Sequence, residues 1–211
     1  MKANNIIYLF KPSVLFPVSY FIYMFKMIIM ATTIDAVIIN FIQYAGNILF
    51  FVMLSGYFFV CSVKSKLYIL MVCLVLFSNY IVFHLDWFAP IIVFVFFALM
   101  SMELTYKKII INVFYINILL FFIILPFLFL STNYYLYDIR YVRYTFGFGH
   151  PNVAGLYLLS FYFSVSMFFS IKIKQKFGAF IIITIIALSF LYVIELTKSR
   201  TSELCMFFIY F

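Results

Sequence analysis

The chain has 211 residues, of which 68% are hydrophobic, 24% aromatic and 9% charged, and its net charge is +8. A soluble domain is about 45–50% apolar and about 25% charged, so a water-soluble globule is excluded. With only 6 Gly and 5 Pro, disordered and collagen-like chains are excluded as well.

A hydrocarbon core of about 30 Å takes about 20 apolar residues per helical crossing, which leaves room for about seven or eight. The first apolar stretch contains Lys11, Pro17 and Lys26 and places a helix over about 6–25 or about 12–31. No small-residue cleavage site follows, so it reads as a span and not as a signal peptide. The second lies within Ala36–Ser62 and ends at Lys64-Ser-Lys66. The third covers about Leu67–Phe83, and a short turn, His84 to Trp87 with Asp86, precedes the fourth at about Phe88–Met102. The fifth is Ile109–Leu130, the sixth about Val153–Ile171 and the seventh about Phe177–Ile194. An eighth apolar run begins after Arg200 and stops at Phe211. Continuous runs without alternation argue for helices and against a membrane barrel. Cys61, Cys73 and Cys205 sit in apolar runs without paired spacing and read as packing residues.

Loop charge sets the orientation. An inner N-terminus puts nine lysines on the cytoplasmic face (2, 11, 64, 66, 107, 108, 172, 174 and 176) and leaves Arg140, Arg143, Lys198 and Arg200 outside. The positive balance is thus that of cytoplasmic loops, and no nucleic-acid partner is expected. The expected fold is all-α: a polytopic transmembrane helical bundle of seven spans plus a truncated eighth, in one integral membrane domain with a cytoplasmic N-terminus. Lys26, left within a span, is expected to reach out of the membrane along its long stem unless it pairs with a buried group.

Polar chemistry concentrates in the outer segment Ser131–Asn152, STNYYLYDIRYVRYTFGFGHPN. On a helical turn Arg140 and Arg143 would share a face and clamp a diphosphate, one guanidinium fork per phosphoryl group. The alternative is snorkelling or contact with anionic lipid headgroups. Asn152 stands where the sixth helix begins, as its expected N-cap, with Pro151 stiffening the entry. That helix end directs a positive dipole at the arginines, with the His150 imidazole beside it. Tyr134, Tyr135, Tyr137, Tyr141 and Tyr144 read as an interfacial aromatic belt or as platforms for sugar rings. A second polar cluster, Glu195 to Ser202, offers Ser199 or Thr201 as cap of the eighth run, with Arg200 in its first turn and Glu195 as the partner of Arg200 or as a site carboxylate. No P-loop, HExxH, paired carboxylates, Cys/His cluster or G-x-S-x-G is present, so neither a cofactor nor a protein-held metal is expected.

The string RYVRYTFGFGHPNVAG over Arg140–Gly155 resembles the bacterial polysaccharide polymerases of the Wzy type, which are related to O-antigen polymerases and ligases. In these an Arg precedes a G-F-x-H-P-N-x-x-G stretch, matched here by Gly147, Phe148, Gly149, His150, Pro151, Asn152 and Gly155. Thr197 to Ser202 is similar to the family's S-R-T/G segment one helical hairpin later. The resemblance implies a multi-pass glycosyltransferase of the bacterial plasma membrane, using neither nucleotide-sugar nor metal, for capsule, exopolysaccharide or O-antigen. Its substrates would be oligosaccharide repeat units on undecaprenyl diphosphate at the outer face, with other polysaccharide-assembly proteins as partners. Arg140, Arg143 and Arg200 would hold the leaving diphosphate, and His150 would be a catalytic motif residue and proton acceptor. Family members run to roughly twice this length, so the chain reads as an N-terminal half, with activity of its own in question. A ligase of the same fold, a lipid-linked oligosaccharide transporter and a non-catalytic membrane partner are the competing readings.

Overall fold

The computed structural model describes residues 10–83, 88–131, 135–137 and 142–199. Among these the chain is all-α apart from one short hairpin. The helices are α1 (Pro12–Met30), α2 (Ala36–Val60), α3 (Val63–Phe83), α4 (Phe88–Met102), α5 (Tyr106–Phe129), α6 (Pro151–Lys172) and α7 (Lys176–Thr197). β1 (Tyr135–Tyr137) pairs antiparallel with β2 (Val142–Tyr144). Among the described residues five helices, α1, α2, α5, α6 and α7, are long and apolar enough to cross a bilayer. By contrast α4 has 15 residues, about 22 Å at about 1.5 Å per residue.

Helix boundaries follow local chemistry. Pro12 occupies the first helical position of α1, where its missing N–H leaves nothing unsatisfied, and the Lys11 carbonyl accepts from Leu15 N–H at 2.9 Å. The later of the two first-span registers is therefore the one adopted. Asp35 opens α2: its Oδ1 accepts from Val37 N–H at 2.7 Å, and its charge suits a helix N-terminus. Ser62 does the same for α3, accepting from Ser65 N–H at 3.3 Å. Surface pattern is that of a membrane chain: Phe41, Phe59, Phe122, Phe129 and Phe177 are exposed while Ser19, Thr32, Asn117 and Ser164 are buried. Buried Ser19, Thr32 and Ser164 donate to carbonyls of their own helix, as Ser19 does to Leu15 at 2.7 Å, whereas Ser166 Oγ and Tyr157 OH are buried without a partner among the described residues.

The chain divides into two compact units. The first holds Met1–Ile22 and Asn47–Ile109. Its interior is aromatic, with Phe96 meeting Phe50 and Tyr57 edge-on at 5.2 and 5.5 Å, and Phe97 meeting Phe16 and Tyr20 at 6.0 Å. Gly56 belongs here because the Phe10 ring lies flat on it and a Cβ would overlap that ring.

The second unit holds Tyr23–Gly46 and Ile110–Phe211. There α6 and α7 close on Tyr162, Ala187 and Ile194. Phe114 of α5 stacks on Phe168 of α6 at 3.7 Å, and Phe25 of α1 meets Phe127 of α5 at 6.0 Å. Lys26 makes local contacts within this unit. Its nearest helix end is Met30, yet its ammonium turns back over the Tyr23 ring at 5.6 Å, and its stem lies along Gly46. A Cβ at position 46 would come within 3.0 Å of that stem.

Candidate functional site

The site is built where the second unit's loops converge. Thr145 O accepts from Phe148 N–H at 2.9 Å across a tight turn. Both central residues have positive φ, 50° at Phe146 and 86° at Gly147, as a type I′ turn requires. A Cβ at Gly147 would also come within 2.9 Å of Ser131 Oγ and 3.0 Å of Leu128 O, so glycine is demanded twice over. Gly149 is different: its nearest neighbour would be Ala31 O at 3.6 Å, an ordinary contact.

The turn is stitched to the end of α1. Thr33 donates to Gly147 O through its N–H at 3.0 Å and its hydroxyl at 3.3 Å, while Gly149 N–H donates to Ala31 O at 2.8 Å. Thr32 and Phe148 form an isolated antiparallel bridge between these bonds. Beneath, Phe148 packs against Tyr157 of α6 at 5.5 Å.

His150, not Asn152, is the N-cap of α6. Its extended backbone (φ −149°, ψ 141°) is the one a residue before proline prefers. Its Nδ1 accepts from Asn152 N–H at 3.1 Å. Pro151 takes the first helical position, buried, and Gly155 is buried one turn on. With Nδ1 accepting, a neutral imidazole carries its proton on Nε2, so the exposed His150 presents a donor. The early N–H groups are taken: Val153 and Ala154 both donate to His150 O. An anion at this helix end meets its dipole and nearby side chains, not free backbone donors.

Asn152 is released from capping to a second task. Arg143 Nη2 donates to Asn152 Oδ1 at 2.8 Å and to Lys198 O at 3.0 Å, and Nε donates to Thr197 O at 3.2 Å. The guanidinium thus closes the C-terminus of α7, where orphan carbonyls and the negative dipole end favour a cation. Arg143 lies in β2, opposite Leu136, so the helical turn expected to align it with Arg140 is not formed there. The α7 end itself is tight. Thr197 is fully buried, Lys198 takes the left-handed conformation (φ 51°) with its N–H on Glu195 O at 2.9 Å, and the buried Ser199 donates its N–H to Thr197 Oγ1 at 3.3 Å. Glu195 pairs with Lys198 at 3.3 Å on the surface.

Arg143, Asn152 and His150 are therefore brought together with the α7 terminus. Arg140, Arg200, Asp138, Tyr134, Tyr141, His84, Asp86, Thr201 and the eighth run lie outside the described residues. Ala31 and Thr33 were not legible as site-builders, and Ser131 and Thr197 only as members of polar segments, because each acts through backbone or steric contact with residues distant in sequence. Two of Arg143's five donors, both on Nη1, carry no hydrogen bond among the described residues. No family model, curated protein or solved structure matches the chain.

Proposed function

We propose that the chain is a seven-span protein of the bacterial plasma membrane, N-terminus inside, whose outer face holds the diphosphate of an undecaprenyl-linked oligosaccharide while repeat units are polymerised. One observation carries the reading: the two segments that resemble the polymerases meet at a single side chain. Arg143 bonds Asn152 of the G-F-x-H-P-N stretch and Lys198 O of the T-K-S-R-T stretch. Residues 46 positions apart (152 to 198) thereby frame one polar patch beside the N-terminus of α6.

The patch suits a departing diphosphate. Negative charge grows on the leaving group as the glycosidic bond breaks, and donors fixed beforehand stabilise that charge without reorganising. Arg143 contributes its Nη1 donors, His150 its Nε2–H, and α6 its dipole, with Arg140 and Arg200 joining by the resemblance. His150 acts here as a donor to phosphate oxygen.

The full chain, purified in detergent, tests this by native mass spectrometry with undecaprenyl diphosphate and undecaprenyl monophosphate in competition. Preferential retention of the diphosphate, weakened about tenfold by Arg143→Lys through loss of the fork, is expected. Equal retention of the two lipids overturns the proposal.

A further inference from the structure

Within the first unit, a cavity of about 460 Å³ opens between the end of α2, the start of α3 and the end of α4. Val60, Tyr68, Leu99 and Met102 give it an apolar wall, while Ser62, Lys64, Ser65 and Glu103 give it polar groups of both signs. Tyr57 forms a fully buried part of its lining and donates to Glu103 Oε1 at 2.9 Å, fixing the carboxylate at the rim.

Both charges oppose their local helix field. Lys64, with Lys66 two residues on, sits in the first turn of α3, where the positive dipole end repels a cation. Glu103 follows directly on α4, whose last carbonyls repel an anion. The two do not cancel each other, since neither Lys64 nor Glu103 enters an ion pair among the described residues. One side of the cavity therefore wants an anion and the other a cation, next to an apolar wall.

We propose that this cavity binds the headgroup of an aminophospholipid, a phosphate joined by a two-carbon link to a primary ammonium. The phosphate lies at the α3 N-terminus with Lys64 and one hydroxyl of the Ser62–Ser65 pair, whose Oγ atoms share a hydrogen bond at 3.1 Å, the ammonium on Glu103, and the first acyl carbons along Val60, Leu99 and Met102. The site is independent of the outer diphosphate patch and stands or falls apart from it.

The test uses the full chain in detergent with dioleoyl phosphatidylethanolamine, phosphatidylcholine and phosphatidylglycerol, reading lipid retention by native mass spectrometry. Phosphatidylethanolamine is retained best, because the choline cation has no N–H to give Glu103 and glycerol has no cation. Glu103→Gln, which keeps an acceptor for Tyr57, removes that preference. Lys64→Gln, at an exposed position, weakens phosphatidylethanolamine retention about fivefold, the size of a partly exposed ion pair. Equal retention of phosphatidylethanolamine and phosphatidylglycerol by the unaltered chain overturns the proposal, as does a Glu103→Gln variant with the preference intact. Soluble phosphoethanolamine displacing the lipid at equal concentration would assign the cavity to a water-soluble ligand and equally overturn it.

Discussion

Arg143 and Lys64 are both cations at helix ends, and they stand in contrary relation to the backbone. Arg143 sits at the C-terminus of α7 and bonds its last carbonyls, so field and hydrogen bonding agree. Lys64 sits in the first turn of α3, where the field opposes it. A charge aligned with its helix contributes to the fold even when it also serves a ligand. One set against its helix has no such use there: Lys64 counts in the lysine balance of the loops and, by the proposal, meets a ligand.

The largest expected effect concerns orientation, because the proposed function puts the C-terminal end of α7, with its Arg143 patch, on the outer face. Lys174 and Lys198 bracket α7 and are both exposed. In a background with Cys61, Cys73 and Cys205 replaced by alanine, cysteine at 198 should react with a membrane-impermeant maleimide in intact cells. Cysteine at 174 should react only after lysis. The reverse pattern would put the Arg143 patch on the inner face.

Next in size is the turn that holds the Arg143 patch. Gly147→Ala combines a left-handed backbone with a collision against Ser131 and Leu128, for a loss of about 3 kcal/mol. Gly149→Ala should stay within about 0.5 kcal/mol, since its Cβ meets only ordinary contacts. Unfolding in mixed SDS micelles separates the two, and equal losses would show that the turn is not what secures the patch.

Those two glycines also mark how far the sequence could be read. Apolar run length and lysine stops placed α4 at its observed bounds and the other helices within a few residues, because membrane helices are dictated locally. The pairing of Thr33 with Gly147 joins residues 114 positions apart and leaves no trace in either segment. The shift of the α6 cap from Asn152 to His150 has the same origin. Asn152 is the better cap by type, but Arg143 arrives from β2 and engages its side chain, while proline at 151 already holds His150 extended. The contact of the Lys26 stem with Gly46 on α2 is of the same long-range kind.

The Arg143 and Lys64 contrast can be measured directly. Arg143→Ala should cost about 1–2 kcal/mol, less than a fully buried charge-assisted pair because the side chain is half-buried. Lys64→Gln, without added lipid, should stabilise the chain by about 0.3–0.5 kcal/mol by removing a cation from a helix N-terminus. A destabilising Lys64→Gln would mean that the lysine already has a structural use, and the contrast between the two cations would be lost.

The smallest effect reads the field at the cavity itself, through Cys61. Burial pushes this thiol above its ordinary pKa; Lys66 pulls it down and Glu103 pushes it up. Only the thiolate reacts with an alkylating reagent, so at pH 8 the rate follows the thiolate fraction. Removing a negative neighbour stabilises the thiolate, so Glu103→Gln should speed alkylation of Cys61 in a chain lacking Cys73 and Cys205. Removing a positive neighbour does the opposite, so Lys66→Gln should slow it. Both differences should shrink as pH rises towards full ionisation and as salt screens the charges. Rates shifted in the same direction by both substitutions would reflect altered access to the thiol, and the cavity would then lack the two-signed field on which headgroup binding depends.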